Sequence, residues 1–209
     1  MLNVKIIFIE SSYGFSKYEK YMPLLPKERQ DKISKLRFDK NKILSLFSGL
    51  LMCKEASERL VIPSSEVQFT YNKYGKPSIK DLPQFYFSVS HSEECIAYVC
   101  DNSPIGIDTE KISDANLSIS KRFFSPNEHR YIIESDEQNE AFYEIWTKKE
   151  AYVKLLGTGL STPLSSFDVT DKAACGNFYT RPLSGYMFSI CSQTRKLSDD
   201  NISIKISRY

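Results

Sequence analysis

The run Ile105-Gly106-Ile107-Asp108-Thr109-Glu110 sets two carboxylates into a segment that otherwise reads as a buried strand. Side chains alternate along a strand, so Asp108 and Glu110 point to one face and Thr109 to the other. For a lone Asp-x-Glu, a wet sheet face is the ordinary explanation. Here Ile105, Ile107 and the preceding Pro104 argue for burial, where unpaired carboxylates are costly and a cation removes the cost. Oxygen-only ligands favour Mg²⁺ over zinc, with Mn²⁺ able to substitute.

A second constraint follows in Trp146-Thr147-Lys148-Lys149-Glu150-Ala151-Tyr152-Val153-Lys154. On a helix, Glu150 and Lys154 share one face. An exposed pair at that spacing is common and contributes only a few tenths of a kcal/mol. However, Trp146, Ala151, Val153 and Leu155 leave this helix little solvated surface. Lys148, Lys149 and Lys154 crowd it with positive charge, so an anion nearby is expected. Three carboxylates and a lysine from two elements are suited to holding a hard divalent cation against a phosphate.

Phe87-Ser88-Val89-Ser90-His91-Ser92 carries a hydroxyl-His-hydroxyl run at the end of an expected strand. Such a run suits phosphate oxygens. The rival reading, a Ser90 nucleophile with a His91 base, lacks the Gly-x-Ser-x-Gly elbow and a triad's usual construction. Gly75-Lys76-Pro77 is a turn with one projecting cation. Arg29, Lys32, Lys35, Arg37, Lys40 and Lys42 read most simply as a solvated helix face, part of which a phosphate-rich ligand would use.

The formal net charge of +2 does not point to a generic nucleic-acid binder, so any basic surface is expected to be local. No apolar stretch reaches the length of a membrane span. The apolar start is interrupted by Lys5, ends at Glu10 and lacks a cleavage signature, which favours a first strand over a signal peptide. Cys53, Cys95, Cys100, Cys175 and Cys191 are never spaced Cys-x-x-Cys. With only His91 and His129 beside them, they favour buried thiols in a reducing cytoplasm over disulfides or structural zinc.

The pattern predicts strands over 3–10, 66–71, 84–90, 94–101 and 105–111, then short strands over 166–171, 176–180, 185–192 and 201–207. Helices are expected over 26–35, 41–60 and 139–156, the last ending at Gly157. Ser125-Pro126-Asn127-Glu128 has the form of a capped helix start. Asp101-Asn102-Ser103-Pro104 is the strongest break, dividing the chain into halves 1–103 and 104–209. Each half runs strand, long helix, then strands.

Taken in order, these motifs resemble the 4′-phosphopantetheinyl transferase superfamily, in its larger two-half class named after the surfactin-synthetase activator. The likeness rests on Tyr74–Pro77, Phe87–Ser92, Pro104–Glu110, Arg122-Phe123-Phe124-Ser125-Pro126-Asn127-Glu128 and Trp146-x-x-Lys149-Glu150-Ala151-Tyr152-x-Lys154. It continues through Gly157-x-Gly159-Leu160-Ser161-x-Pro163-Leu164. The resemblance implies two similar α+β halves related by a pseudo-twofold axis, with the active site at their interface in a monomer. It implies transfer of phosphopantetheine from coenzyme A to a serine of an apo carrier protein, with release of adenosine 3′,5′-bisphosphate. Asp108, Glu110 and Glu150 match metal-site positions, and Lys154 a lysine near the phosphates. Lys76, Ser90 and His91 match positions lining the phosphates of coenzyme A, and Arg29, Lys32 and Ser45 those at the 3′-phosphate end. The general base is Glu150, Glu128 or a metal-bound water. A coenzyme A-binding regulator without turnover would not need all three acids. A metal-dependent nuclease would leave the lysine-rich helix and the Gly-Lys-Pro turn without a role.

Overall fold

The computed structural model describes residues 1–10, 14–171 and 175–209, with Leu160 described by its backbone alone. Nine strands are found among these residues: β1 (Leu2–Phe8), β2 (Phe69–Tyr71), β3 (Pro77–Ile79), β4 (Tyr86–Ser92), β5 (Cys95–Asp101), β6 (Ile105–Lys111), β7 (Asn177–Leu183), β8 (Tyr186–Ser192) and β9 (Ile202–Arg208). The helices are α1 (Lys27–Ser34), α2 (Asp39–Leu60), α3 (Leu117–Phe123), α4 (Pro126–Ile133) and α5 (Gln138–Leu156). The expected mixed α+β class is the one adopted.

One sheet has the order β4-β5-β1-β9, and a second has the order β6-β8-β7. The last strand therefore leaves the second half and pairs parallel with the first, Leu2 opposite Ile202 through Phe8 opposite Arg208. Alternation along β1 divides the core. Ile7 and Ile9 join Leu44, Phe47 and Leu51 of α2 on one face. Leu2, Val4, Ile6 and Phe8 meet Ile105, Ile107, Phe188 and Ile190 of the second sheet on the other. Ala151 and Leu155 of α5 pack with Cys191 on the far side of that second sheet. The layers run helix, sheet, sheet, helix, and two long helices flank the paired sheets.

The predicted strand over 166–171 does not form. Its backbone groups are taken by side chains instead: Val169 N–H donates to Glu128, the Phe167 carbonyl accepts from Lys149, and Asp168 accepts from Thr170 N–H. The short helix α3 was not anticipated. Its start is capped by Asn116, whose side chain accepts from Ser118 N–H. The capping box at Ser125 is present, with both reciprocal hydrogen bonds made. All five cysteines are free thiols, and no helix among the described residues is long and apolar enough to cross a membrane.

Gly106 controls how closely α5 lies against β6. A Cβ built there would stand 1.9 Å from the Ala151 carbonyl oxygen and 2.7 Å from Leu155 N, contacts that no side chain can occupy. Gly106→Ala is accordingly expected to lower folding stability by about 3 kcal/mol or more, or to prevent folding. Urea denaturation followed by circular dichroism reads this directly, and a midpoint within error of the parent's would refute the close packing.

Candidate active site

Strand β6 presents Gly106, Asp108 and Glu110 toward α5, while Ile105 and Ile107 enter the core between the sheets. Facing β6 is β4, the edge strand of the other sheet, with Ser88, Ser90 and Ser92 on its near side. Their hydroxyls join the two edges. Ile107 N–H donates to Ser88 Oγ at 3.0 Å, and Lys111 N–H to Ser92 Oγ at 3.1 Å. Ser90 Oγ donates to Asp108 Oδ1 at 2.7 Å, and Ser92 Oγ to Glu110 Oε2 at 2.6 Å. The hydroxyl-His-hydroxyl run thus serves the carboxylates directly.

From α5, Lys154 Nζ donates to Asp108 Oδ1 at 2.6 Å and to Ser90 Oγ at 2.7 Å. Asp108 is 2% exposed, and its second oxygen, Oδ2, has no partner. Burial, then the Asp108 charge, raises the Glu150 pKa above the usual carboxylate value. Burial chiefly, with Asp108 and Glu150 adding to it, raises that of Glu110 against the Ser92 hydrogen bond. His91 stands exposed at the rim. Protein packed on its inner side, and then the Lys154 charge, lower its pKa, so the imidazole is neutral at pH 7.

These groups line a cleft of about 540 Å³. Arg29, Ser45, Ser90, His91, Asp108, Glu110, Glu150 and Lys154, all singled out from the sequence, lie on its wall. Lys32 does not; it is committed to Glu28 and to the Tyr71 hydroxyl, each at 2.9 Å. Lys76 lines a smaller neighbouring cavity. Its ammonium donates to the carbonyls of Lys154 at 2.6 Å and Leu155 at 3.2 Å, capping the C-terminus of α5. Gly157 makes room for it, since a Cβ there would stand 2.6 Å from Lys76 Cδ.

The sequence reading missed Ser48 and the cleft face of Trp146. Ser48 lies one turn beyond Ser45 on α2, and that spacing was the available signal. Its hydroxyl is buried without a partner, as are Arg29 Nε and Asp108 Oδ2. Of the five such side-chain atoms among the described residues, these three belong to the cleft wall. Native interiors rarely leave polar atoms unpaired, so their clustering marks where a polar ligand belongs.

The expected crowd of lysines on α5 is dispersed. Lys148 pairs with Glu144, and Lys149, fully buried, donates to Glu128 Oε1 at 2.6 Å. Glu128 also accepts from Val169 N–H and Ser125 N–H. It is fully buried and is not among the residues lining the cleft.

The cleft wall fits a hard cation in donor chemistry: oxygen ligands, a free Asp108 Oδ2, and two carboxyls with raised pKa values. Among the described residues no three His, Cys, Asp or Glu side chains are already gathered for a metal. Lys154 stands among the three carboxylates and holds Asp108 Oδ1.

Two family models match the chain. One, for the 4′-phosphopantetheinyl transferase superfamily, covers residues 104–205, and one for a 4′-phosphopantetheinyl transferase N-terminal region covers 14–103. The chain is 34% identical over 165 residues to 4′-phosphopantetheinyl transferase Sfp of Bacillus subtilis, spanning 78% of this chain and 74% of that protein. It is 37% identical over 144 residues to 4′-phosphopantetheinyl transferase gsp of Aneurinibacillus migulanus, spanning 68% of this chain and 60% of that one. A Candida glabrata protein named L-aminoadipate-semialdehyde dehydrogenase-phosphopantetheinyl transferase is 29% identical over 179 residues, spanning 81% and 67%.

Two measurements test the structural assignments. Glu128→Gln should cost about 3–5 kcal/mol, because it leaves the Lys149 ammonium buried without its counter-charge; chemical denaturation would reveal a merely local pair by a loss under about 1 kcal/mol. For Lys76, burial lowers the pKa from 10.5 to about 8, against the pull of the α5 carbonyls. Between those values the unfolded chain binds more protons, so the penalty for the buried charge is full below pH 8 and relieved as pH rises toward 10.5. Wild-type stability should therefore gain on that of Lys76→Met across this window, and urea midpoints that keep a constant difference would contradict the desolvation.

Proposed function

Because the chain belongs to the 4′-phosphopantetheinyl transferase superfamily, we infer that it moves phosphopantetheine from coenzyme A to a serine hydroxyl of an apo carrier protein. The supporting observation is a single cleft that joins cations and carboxylates with three partnerless buried polar atoms. That combination suits a polyanion bound together with a divalent cation.

In the reaction the serine oxygen forms a bond to the phosphorus bearing the pantetheine. The bond from that phosphorus to the bridging pyrophosphate oxygen breaks, and adenosine 3′,5′-bisphosphate leaves with the electron pair. Arg29 and Lys154 offer positive charge to the phosphates, a preorganised electrostatic contribution. Ser45, Ser48 and Ser90 offer hydroxyls on the same wall. His91, neutral at pH 7, serves as a hydrogen-bond donor and adds no charge. Lys76 acts from beneath, fixing the end of α5 that carries Lys154.

Asp108, Glu110 and Glu150 are the residues we assign to Mg²⁺, or Mn²⁺ in its place, and the ion would neutralise charge on the pyrophosphate as the leaving group departs. Glu150 is the proposed acceptor of the serine proton.

Asp108→Asn and Glu150→Gln should each reduce transfer by about a hundredfold or more while leaving the circular dichroism spectrum unchanged. The readout is mass spectrometry of an apo carrier incubated with coenzyme A and Mg²⁺, scored for a phosphopantetheine adduct. Absence of the adduct with the parent chain, across a panel of apo carriers, would favour a coenzyme A-binding regulator. Undiminished turnover in either variant would remove that residue from the reaction.

A further inference from the structure

The Tyr18 hydroxyl is another buried polar atom without a partner, and Tyr18 is not among the residues lining the cleft. Tyr18 is only 4% exposed, yet it lines a second concavity of about 390 Å³. This groove lies at the opposite side of the first sheet from β4, where β9 forms the sheet edge beside β1. Its volume falls within the usual range for small-molecule sites.

Two features give the groove a defined chemistry. Its apolar part is an aromatic cluster centred on Phe47, whose ring stands 5.3 Å from Tyr18, 6.5 Å from Tyr21 and 5.6 Å from Tyr209. Its charged side chains have one sign only: Lys5, Lys54 and Lys205 line it, and among the described residues no Asp or Glu does. Lys5 and Lys205 are moreover direct neighbours across the β1–β9 pair. Like charges so placed repel each other. Glu55 pairs with Lys5 from outside the groove, and Glu58 stands 3.9 Å from Lys54 in an exposed pair. Among the described residues, Lys205 makes no ion pair.

We infer that this groove is a binding site for a hydrophobic carboxylate, distinct from the transfer cleft. The carboxylate would lie between Lys5 and Lys205, relieving their repulsion, with Lys54 at its side. An aromatic or medium-chain aliphatic body would cover Phe47, Leu50 and Leu51, and a polar atom near its head would satisfy the Tyr18 hydroxyl. Charge complementarity selects this occupant: a cationic amphiphile of the same shape would meet three ammonium groups. None of these residues takes part in the proposed transfer reaction.

The test uses the full chain and anilinonaphthalene sulfonate, an aromatic anion that fluoresces when its surroundings become apolar. One saturable site per chain is expected, with decanoate displacing the probe while decyltrimethylammonium and coenzyme A do not. Lys205→Glu should weaken binding about tenfold or more, since an attraction becomes a repulsion. Tyr18→Phe should also weaken it without lowering folding stability, because the hydroxyl removed has no partner in the free protein. Arg29→Ala, on the cleft, should leave probe binding unaltered, and Lys205→Glu should leave carrier modification unaltered. The proposal fails if binding does not saturate, if decyltrimethylammonium competes equally, or if Lys205→Glu binds as the parent does. It fails too if coenzyme A displaces the probe, which would place the probe in the cleft.

Discussion

The contact of α5 with β6 through Gly106 is the constraint on which the cleft depends. A strand and a helix ordinarily meet at a distance set by the side chains between them. Without a Cβ at 106, the α5 backbone at Ala151 comes down onto the strand. Asp108, two residues along the same strand face, then lies within hydrogen-bonding reach of Lys154 on α5. A longer separation would leave the carboxylate buried and remote from any positive charge, the arrangement that protein interiors least tolerate. Backbone proximity therefore comes first, and the charge pairing follows from it.

Within the cleft, positive and negative groups hold each other. Lys154 neutralises one oxygen of Asp108, Ser90 donates to that same oxygen, and the other oxygen is left bare. Glu110 and Glu150 carry raised pKa values because burial and a nearby carboxylate both disfavour their charge. An incoming cation would relieve that mutual repulsion, and an incoming polyanion would draw on Arg29 and Lys154. Two such ligands would favour each other's binding for the same electrostatic reason.

Much of this was legible in the sequence, for identifiable reasons. Period-two alternation located Asp108 and Glu110 on one strand face, and helical spacing put Glu150 with Lys154; both are local properties that any packing preserves. Ser125 to Glu128 was legible as a helix start because a capping box is made within four consecutive residues. The failures were those of tertiary context. Lys148 and Lys149 look alike in sequence, and only the placement of Glu144 and Glu128 shows both to be neutralised. Residues 166–171 have strand character, but Glu128 and Lys149 take the backbone groups a neighbouring strand would need. The projecting cation expected at Lys76 instead caps a helix from the other half of the chain, a partner no local pattern can announce.

The serines of β4 show how the same atoms answer to folding and to chemistry. Strands β4 and β6 are edges of separate sheets, and each edge carries unpaired backbone groups that must be satisfied when it is buried. Joining them by a backbone ladder would merge the sheets and consume both edges. A hydroxyl does less: it accepts one N–H from the neighbouring strand and still has a hydrogen to give. Ser92 accepts from Lys111 N–H and donates to Glu110, so satisfying an edge also orients a carboxylate. Ser88 performs the first task alone, for Ile107 N–H, and Ser90 the second alone, for Asp108. The seam between the two sheets and the acidic wall of the cleft are consequently one hydrogen-bonded structure, and the carboxylates are aimed by the same contacts that hold the two sheets together.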